Sequence, residues 1–315
     1  MEKHYLVLCT VFLWLALGMS PLAAEGKSAE ESPPAETKGK DTSSEPFELA
    51  SIPDAASAPV TVTNTVTVSG EELTYTVQTG MLPLLKDDGA ARASVFYIAY
   101  TRRGRAEAGE RPVTFCFNGG PGSSSVWLHL GGLGPRRVVL KEDGSMPPPP
   151  FRLEDNPHSI LSATDLVFID PVATGYSRPA KDEKREQFFG QSQDVESVGG
   201  FIRLWTTRNQ RWLSPKYLCG ESYGSFRAAA LADHLHNRYG MYLNGVVLLS
   251  GTLDFATLKQ GGESYLGHLA YLPTYTAVAH YHGKLPPDLQ EDREKALAEA
   301  HAFAEGAYAL ALLRG

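Results

Sequence analysis

Four short apolar runs set the limits on what this chain can fold into: residues 95–100 (VFYIAY), 113–117 (VTFCF), 166–169 (LVFI) and 245–249 (GVVLL). A strand with one wet face alternates apolar and polar residues, whereas these runs are nearly continuous, the pattern of strands buried on both faces in a parallel sheet. Three of them close on small polar residues, Asn118, Asp170 and Ser250. Between them lie stretches of helical spacing. In 194–212 the residues Val195, Val198, Phe201, Ile202 and Trp205 share one face, and 225–238 (SFRAAALADHLHNR) is similar. Strand and helix alternating in this way predict an α/β fold, a mostly parallel sheet with flanking helices. With 315 residues, 43% of them hydrophobic, the chain has apolar material for one large domain or two small ones.

Other segments organise around this core. Residues 60–79 (VTVTNTVTVSGEELTYTVQT) alternate about Ser69-Gly70, as a half-exposed antiparallel hairpin does. Past Phe255 the strand pattern stops, and 287–313 (PDLQEDREKALAEAHAFAEGAYALALL) reads as helix, the start of a cap over the sheet. At the other end, residues 5–19 (YLVLCTVFLWLALGM) form an apolar run behind Lys3 and before Pro21-Leu22-Ala23-Ala24. That run is short for a membrane span and has the layout of a secretory signal, so 1–24 is expected to be a signal peptide and the protein to be secreted or periplasmic, without a stable membrane anchor. Residues 25–58, rich in Glu, Ser, Pro and Ala, read as a flexible leader; the domain divisions expected are then a core over 59–255 and a helical insertion over 256–315.

Composition excludes some functions. A formal charge of −7 with no long Lys/Arg run gives no field for nucleic acid. No metal-ligand spacing or phosphate-binding loop is present, so neither metal nor cofactor is expected. Cys116 and Cys219, the two thiols outside the signal segment, fall on strands that should be neighbours and read as buried free thiols. The run 181–186 is read as a solvated loop, and the Pro-rich 146–150 as a stiff loop.

Chemistry enters with Gly220-Glu221-Ser222-Tyr223-Gly224, a G-x-S-x-G pattern whose glycines let a strained strand-to-helix turn lift a serine above the sheet. The pentapeptide gains weight from its setting between a short strand, 216–219 (KYLC), and the helix from 225. Gly262-Glu263-Ser264-Tyr265 repeats four of its letters but is followed by Leu266 and preceded by no strand, which singles out Ser222 as the nucleophile. Asn118-Gly119-Gly120-Pro121-Gly122 follows another strand directly, where an oxyanion loop belongs, with a plain tight turn as the alternative. The backbone N–H groups of Gly120 and Tyr223 are the candidate donors.

Taken together, Asn118-Gly119-Gly120-Pro121-Gly122-Ser123-Ser124-Ser125 and Gly220-Glu221-Ser222-Tyr223-Gly224 resemble the serine carboxypeptidases of the cathepsin A type, peptidase family S10, whose fold is the α/β-hydrolase. Leu133-Gly134-Pro135, Asn156-Pro157 and Asp170-Pro171-Val172-Ala173-Thr174-Gly175-Tyr176-Ser177 continue the likeness in order over roughly 70–255. The resemblance implies release of a C-terminal amino acid from peptides or proteins through an acyl-enzyme on Ser222. It further implies that Asn118, the Gly119 N–H and Glu221 bind the terminal carboxylate, which requires a shared proton and favours acidic pH. Alternatively, Glu221 is only an elbow residue bonded to backbone. Gly132 stands where eukaryotic members carry a second glutamate, and Ser123 where they carry a cysteine.

The triad order in this fold is Ser, acid, His, and only 93 residues follow Ser222. Asp254 reads as a capping or solvated carboxylate, and His234, His236, His268, His280, His282 and His301 fall on predicted helices or a Tyr-rich loop. The expectation is a bacterial-type carboxypeptidase sequence lacking its last strands with their Asp and His, hence nearly inactive, with 245–249 left as an open sheet edge. A proline iminopeptidase- or esterase-like hydrolase, or a non-catalytic protein binding peptide C-termini, are the alternatives; oligomeric state is not readable.

Overall fold

The computed structural model describes residues 58–104, 109–252, 254–258 and 265–314. The segment read as a signal peptide, nearly all of that read as a leader, and Ser264 lie outside them. Val60–Val68 (β1) and Glu71–Leu85 (β2) form the expected hairpin, joined through Ser69 and Gly70, both at positive φ (48° and 84°), the turn whose twist suits two antiparallel strands.

Next come Ala91–Arg102 (β3), Val113–Phe117 (β4), the short helix Val126–Leu128 (α1), the small hairpin Arg136–Val138 (β5) with Leu153–Asp155 (β6), and Asp165–Ile169 (β7). Arg178–Pro179 (β8) precedes the helix Gln191–Arg208 (α2), the strand Lys216–Glu221 (β9), the helix Tyr223–Tyr239 (α3) and the strand Gly245–Leu249 (β10). The rest is helical: Leu266–Tyr281 (α4), Pro287–Gln290 (α5), Arg293–Phe303 (α6), a π-helical turn, and Ala309–Arg314 (α7).

The main sheet runs β1-β2-β3-β7-β4-β9-β10, with β8 beside β3. From β7 to β10 the pairing is parallel, and every residue of β4 and β7 is buried, as their unbroken apolar runs require. Helices α2 and α3 cover one face of this parallel part. Phe201, Ile202 and Trp205 pack with Phe115, Val167 and Leu231 in the larger of two apolar cores. This mixed, helix-flanked sheet, parallel from β7 to β10 and with a strand-to-helix elbow after β9, is the α/β-hydrolase fold.

Three expectations need correction. The run 95–100 is not parallel: β3 lies antiparallel to both β2 and β7, and its burial alternates, with Ala93, Val95, Tyr97 and Ala99 in the larger core and Ile98 half-buried against the smaller one. The run in β10 is not buried; Val246, Val247 and Leu248 are exposed and β10 pairs with β9 alone among the described residues. The Tyr-rich loop is the helix α4, which continues through Pro273. A smaller departure is Glu183, expected in a solvated run, which is largely buried in an ion pair with Lys86. No described helix is long and apolar enough to cross a membrane.

Candidate active site

The C-terminal ends of β4 and β9 are adjacent, so the loops that leave them meet. Cys116 pairs in register with Cys219 and Phe117 with Gly220, which carries Asn118 and Glu221 out at the same level. Both cysteines are buried and free, as expected, and burial pushes the Cys116 thiol up.

Ser222 sits between β9 and α3 at φ 56°, ψ −123°, a left-handed conformation that costs a non-glycine residue about 1–3 kcal/mol and persists only where neighbours enforce it. Those neighbours are visible. The Ser222 N–H donates to the Leu249 carbonyl (2.9 Å), and Ser225 Oγ donates back to the Gly220 carbonyl (3.0 Å). A Cβ on Gly220 would overlap the Gly224 carbonyl, and one on Gly224 would approach the Phe117 carbonyl oxygen to 2.8 Å. Both motif glycines are therefore fixed by close backbone approach, one within the elbow and one against β4.

The first motif packs on this elbow. A Cβ on Gly119 would overlap the Tyr223 amide nitrogen, so the glycine loop and the start of α3 touch through bare backbone. Gly120 follows at φ 107°. Neither the Gly120 nor the Tyr223 amide donates to a carbonyl among the described residues, leaving two N–H groups free beside Ser222.

Asn118 is buried and divides its amide between two tasks. Its Oδ1 accepts the Leu128 N–H (3.0 Å), fixing α1, and its Nδ2 donates to Glu221 Oε2 (3.0 Å). Among the described residues the Glu221 carboxylate bonds to the Asn118 side chain. The loop is anchored beneath by Asp170 at the end of β7. Its Oδ1 accepts the Ser125 N–H (2.9 Å), and its own backbone carbonyl accepts from Ser177 Oγ (2.6 Å), while burial raises its carboxyl pKa. Ser125 Oγ also donates to the Ile169 carbonyl. The 170–177 stretch is accordingly a brace for the glycine loop.

Two residues passed over in the sequence matter here. Arg227 on α3, buried, donates Nε to Asp194 Oδ2 (2.8 Å) on α2 and Nη1 to the Asn118 carbonyl (2.7 Å), with its guanidinium 5.2 Å from the Tyr223 ring centre and 5.5 Å from that of Phe117. Burial first, and then the Asp194 charge, raise the Tyr223 phenol. His129, just beyond α1, is buried with Nε2 2.6 Å from the Tyr100 hydroxyl, and burial lowers its imidazole to about 4. An arginine inside an otherwise apolar helix face was the available signal for the first; nothing local marked the second.

Among the described residues no histidine or carboxylate bonds to the Ser222 side chain, and none of them forms a metal-binding cluster. Asp254 caps the turn after it, accepting the Ala256 N–H (2.8 Å). His236, His268, His280, His282 and His301 are exposed or half-buried, while His234 is more enclosed, its Nε2 buried without a partner.

A sheet whose β7-β4-β9-β10 part is parallel, a serine at a positive-φ elbow and a glycine loop against it define an α/β-hydrolase. Within that class the chain belongs to the serine carboxypeptidase family, whose model matches residues 71–297. It is 26% identical over 228 residues to the pheromone-processing carboxypeptidase KEX1 of Yarrowia lipolytica (71% of this chain, 34% of that one). To KEX1 of Puccinia graminis f. sp. tritici it is 31% identical over 151 residues (46% and 21%). The crystal structure of KEX1(delta)p, a prohormone-processing carboxypeptidase from Saccharomyces cerevisiae, aligns with TM-score 0.46 and 23% identity over 72% of this chain and 48% of that one. The chain spans about a third or less of the length of the two curated relatives.

Proposed function

We propose that the protein is a serine carboxypeptidase that removes the C-terminal residue of peptides through an acyl-enzyme on Ser222. The observation that carries this reading is the Asn118–Glu221 hydrogen bond of 3.0 Å at the mouth of the elbow. An amide and a carboxylate there suit a terminal carboxylate: the Asn118 amide and Gly119 N–H donate to it, and Glu221 shares one proton with it.

In this mechanism the clamp holds the terminal residue so that its scissile carbonyl lies over Ser222. Oγ attacks, and the Gly120 and Tyr223 amides stabilise the oxyanion, each worth about 2.7–4 kcal/mol. The terminal amino acid leaves, and water releases the acyl group. The attack needs a base that takes the Oγ proton and returns it to the leaving amine, a group that no described residue supplies to Ser222. Residues 59–255 form the hydrolase core in this reading and 256–315 begin a helical cap. The apolar run at 5–19 directs the protein out of the cytoplasm.

The test compares N-blocked dipeptides carrying a free carboxylate with their C-terminal amides, using the wild-type chain and Asn118→Ala. Binding or turnover of the free acids, lost in the amides and in the variant, supports the carboxypeptidase. Equal handling of acid and amide, or activity only on N-terminal prolyl substrates, refutes it.

A further inference from the structure

A cleft of about 370 Å³ opens beside the glycine loop and the first residue of α3. Pro121, Pro171, Phe188 and Tyr223 give it apolar walls. Its charged groups are Arg185, Asp194 and Arg227.

The charges do not balance. Asp194 is engaged by Arg227 Nε at 2.8 Å and stands in the first turn of α2, whose N-terminus offsets more of its negative charge. Arg227 spends Nη1 on the Asn118 carbonyl, and its Nη2 takes no acceptor among the described residues. Arg185 is exposed at the rim with its guanidinium 5.2 Å from the Phe189 ring centre, and no described carboxylate lies within ion-pair distance. Lys184 and Glu186 beside it are both exposed and opposite in sign. Two guanidinium groups thus face one carboxylate across apolar walls, Arg227 buried below and Arg185 exposed at the rim.

We propose that this cleft receives an acidic side chain from the residue on the acyl side of the scissile bond, with Arg185 as the specificity-determining group. The inference rests on the carboxypeptidase reading for its substrate. The terminal residue is taken by Asn118 and Glu221, and Pro121 and Gly122 follow Gly120 on the chain, leading away from that clamp. A glutamate entering between Phe188 and Pro121 meets the planar donor fork of Arg185 at the mouth and the free edge of Arg227 below, both matched to a carboxylate. A lysine there meets two like charges.

The experiment uses the Ser222→Ala chain, which cannot form an acyl-enzyme, and three peptides: N-acetyl-alanyl-glutamyl-phenylalanine and the same peptide with glutamine or lysine in the middle. Binding is followed calorimetrically. The glutamyl peptide is expected to bind about 10-fold tighter than the lysyl one, with glutaminyl between, as one partly exposed charge pair allows. Arg185→Glu should reverse the order while leaving the circular dichroism spectrum unchanged. Equal affinities, a lysyl preference, no binding of any peptide, or an unchanged order in Arg185→Glu would overturn the proposal. The carboxypeptidase reading is scored separately: equal binding of the glutamyl peptide and its C-terminal amide, with the glutamyl preference intact, rejects that reading and leaves the acidic subsite standing.

Discussion

Deleting the carboxylate of Asp194 leaves Arg227 charged in a site where its side chain is only 2% exposed. Removing one partner of a buried pair costs roughly 3–5 kcal/mol, because the surviving charge keeps its desolvation penalty and loses its compensation. Asp194 borders the cleft and is 9% exposed, so some water can reach the pair and the lower end, about 3 kcal/mol, applies to Asp194→Ala. For a folded body of this size that lowers Tm by roughly 6–12 °C. Asp194→Asn keeps an acceptor for Nε and should lose about half as much. Arg227→Met removes the bond to the Asn118 carbonyl but leaves Asp194 near a helix N-terminus and the cleft, at a cost of about 2 kcal/mol. The two changes combined should cost less than their sum by about 1–3 kcal/mol. Urea titration of the four proteins at pH 7, followed by near-ultraviolet circular dichroism, measures this directly. If Asp194→Ala loses less than about 1 kcal/mol, or the two effects simply add, the pair is hydrated and the argument for a charge-sensitive cleft fails with it.

Acid should weaken the fold through His129. Its folded pKa of about 4 lies below the free value of 6.5, so the neutral ring stabilises fully above pH 6.5 and the stability is lost as pH falls towards 4, about 3 kcal/mol in all. Urea midpoints at pH 7, 5.5 and 4.5 should show this slope in the wild type and a shallower one in His129→Gln. Gly224→Ala should cost about 1–3 kcal/mol, since its Cβ would lie 2.8 Å from the Phe117 carbonyl oxygen, whereas Gly131→Ala, with nothing within 4 Å, should be close to neutral in Tm. Val247→Lys, on the exposed edge strand β10, should reduce self-association in sedimentation while changing Tm by less than about 2 °C.

The unbroken runs at 113–117 and 166–169 were enough to give two buried strands, and the glycines flanking Ser222 were enough to give an elbow, because these signals are local: backbone that must approach other backbone tolerates no Cβ. Alternation about Ser69-Gly70 likewise fixed the hairpin, since two residues at positive φ leave one way for the chain to return. Strand order was legible only where Cys116 and Cys219 mark neighbouring strands. Nothing in 165–169 says that it inserts between β3 and β4, nor that β3 runs antiparallel, because pairing partners are chosen by the whole sheet. Helix α4 was missed because its aromatic residues and Pro273 obscure the helical period.

The site divides along the same line. Short motifs whose spacing is set by turn geometry named Gly120, Ser222 and Tyr223, and the resemblance to the serine carboxypeptidases added Asn118, Gly119 and Glu221. The sequence could not say that Asn118 and Glu221, 103 positions apart, share a hydrogen bond; adjacent parallel strands in register make that happen. Nor could it assign Arg227 its partners, since Asp194 and the Asn118 carbonyl arrive from a different helix and a different loop. Local sterics are written in consecutive residues, whereas the pairing of buried charges is decided only when packing excludes water from both at once.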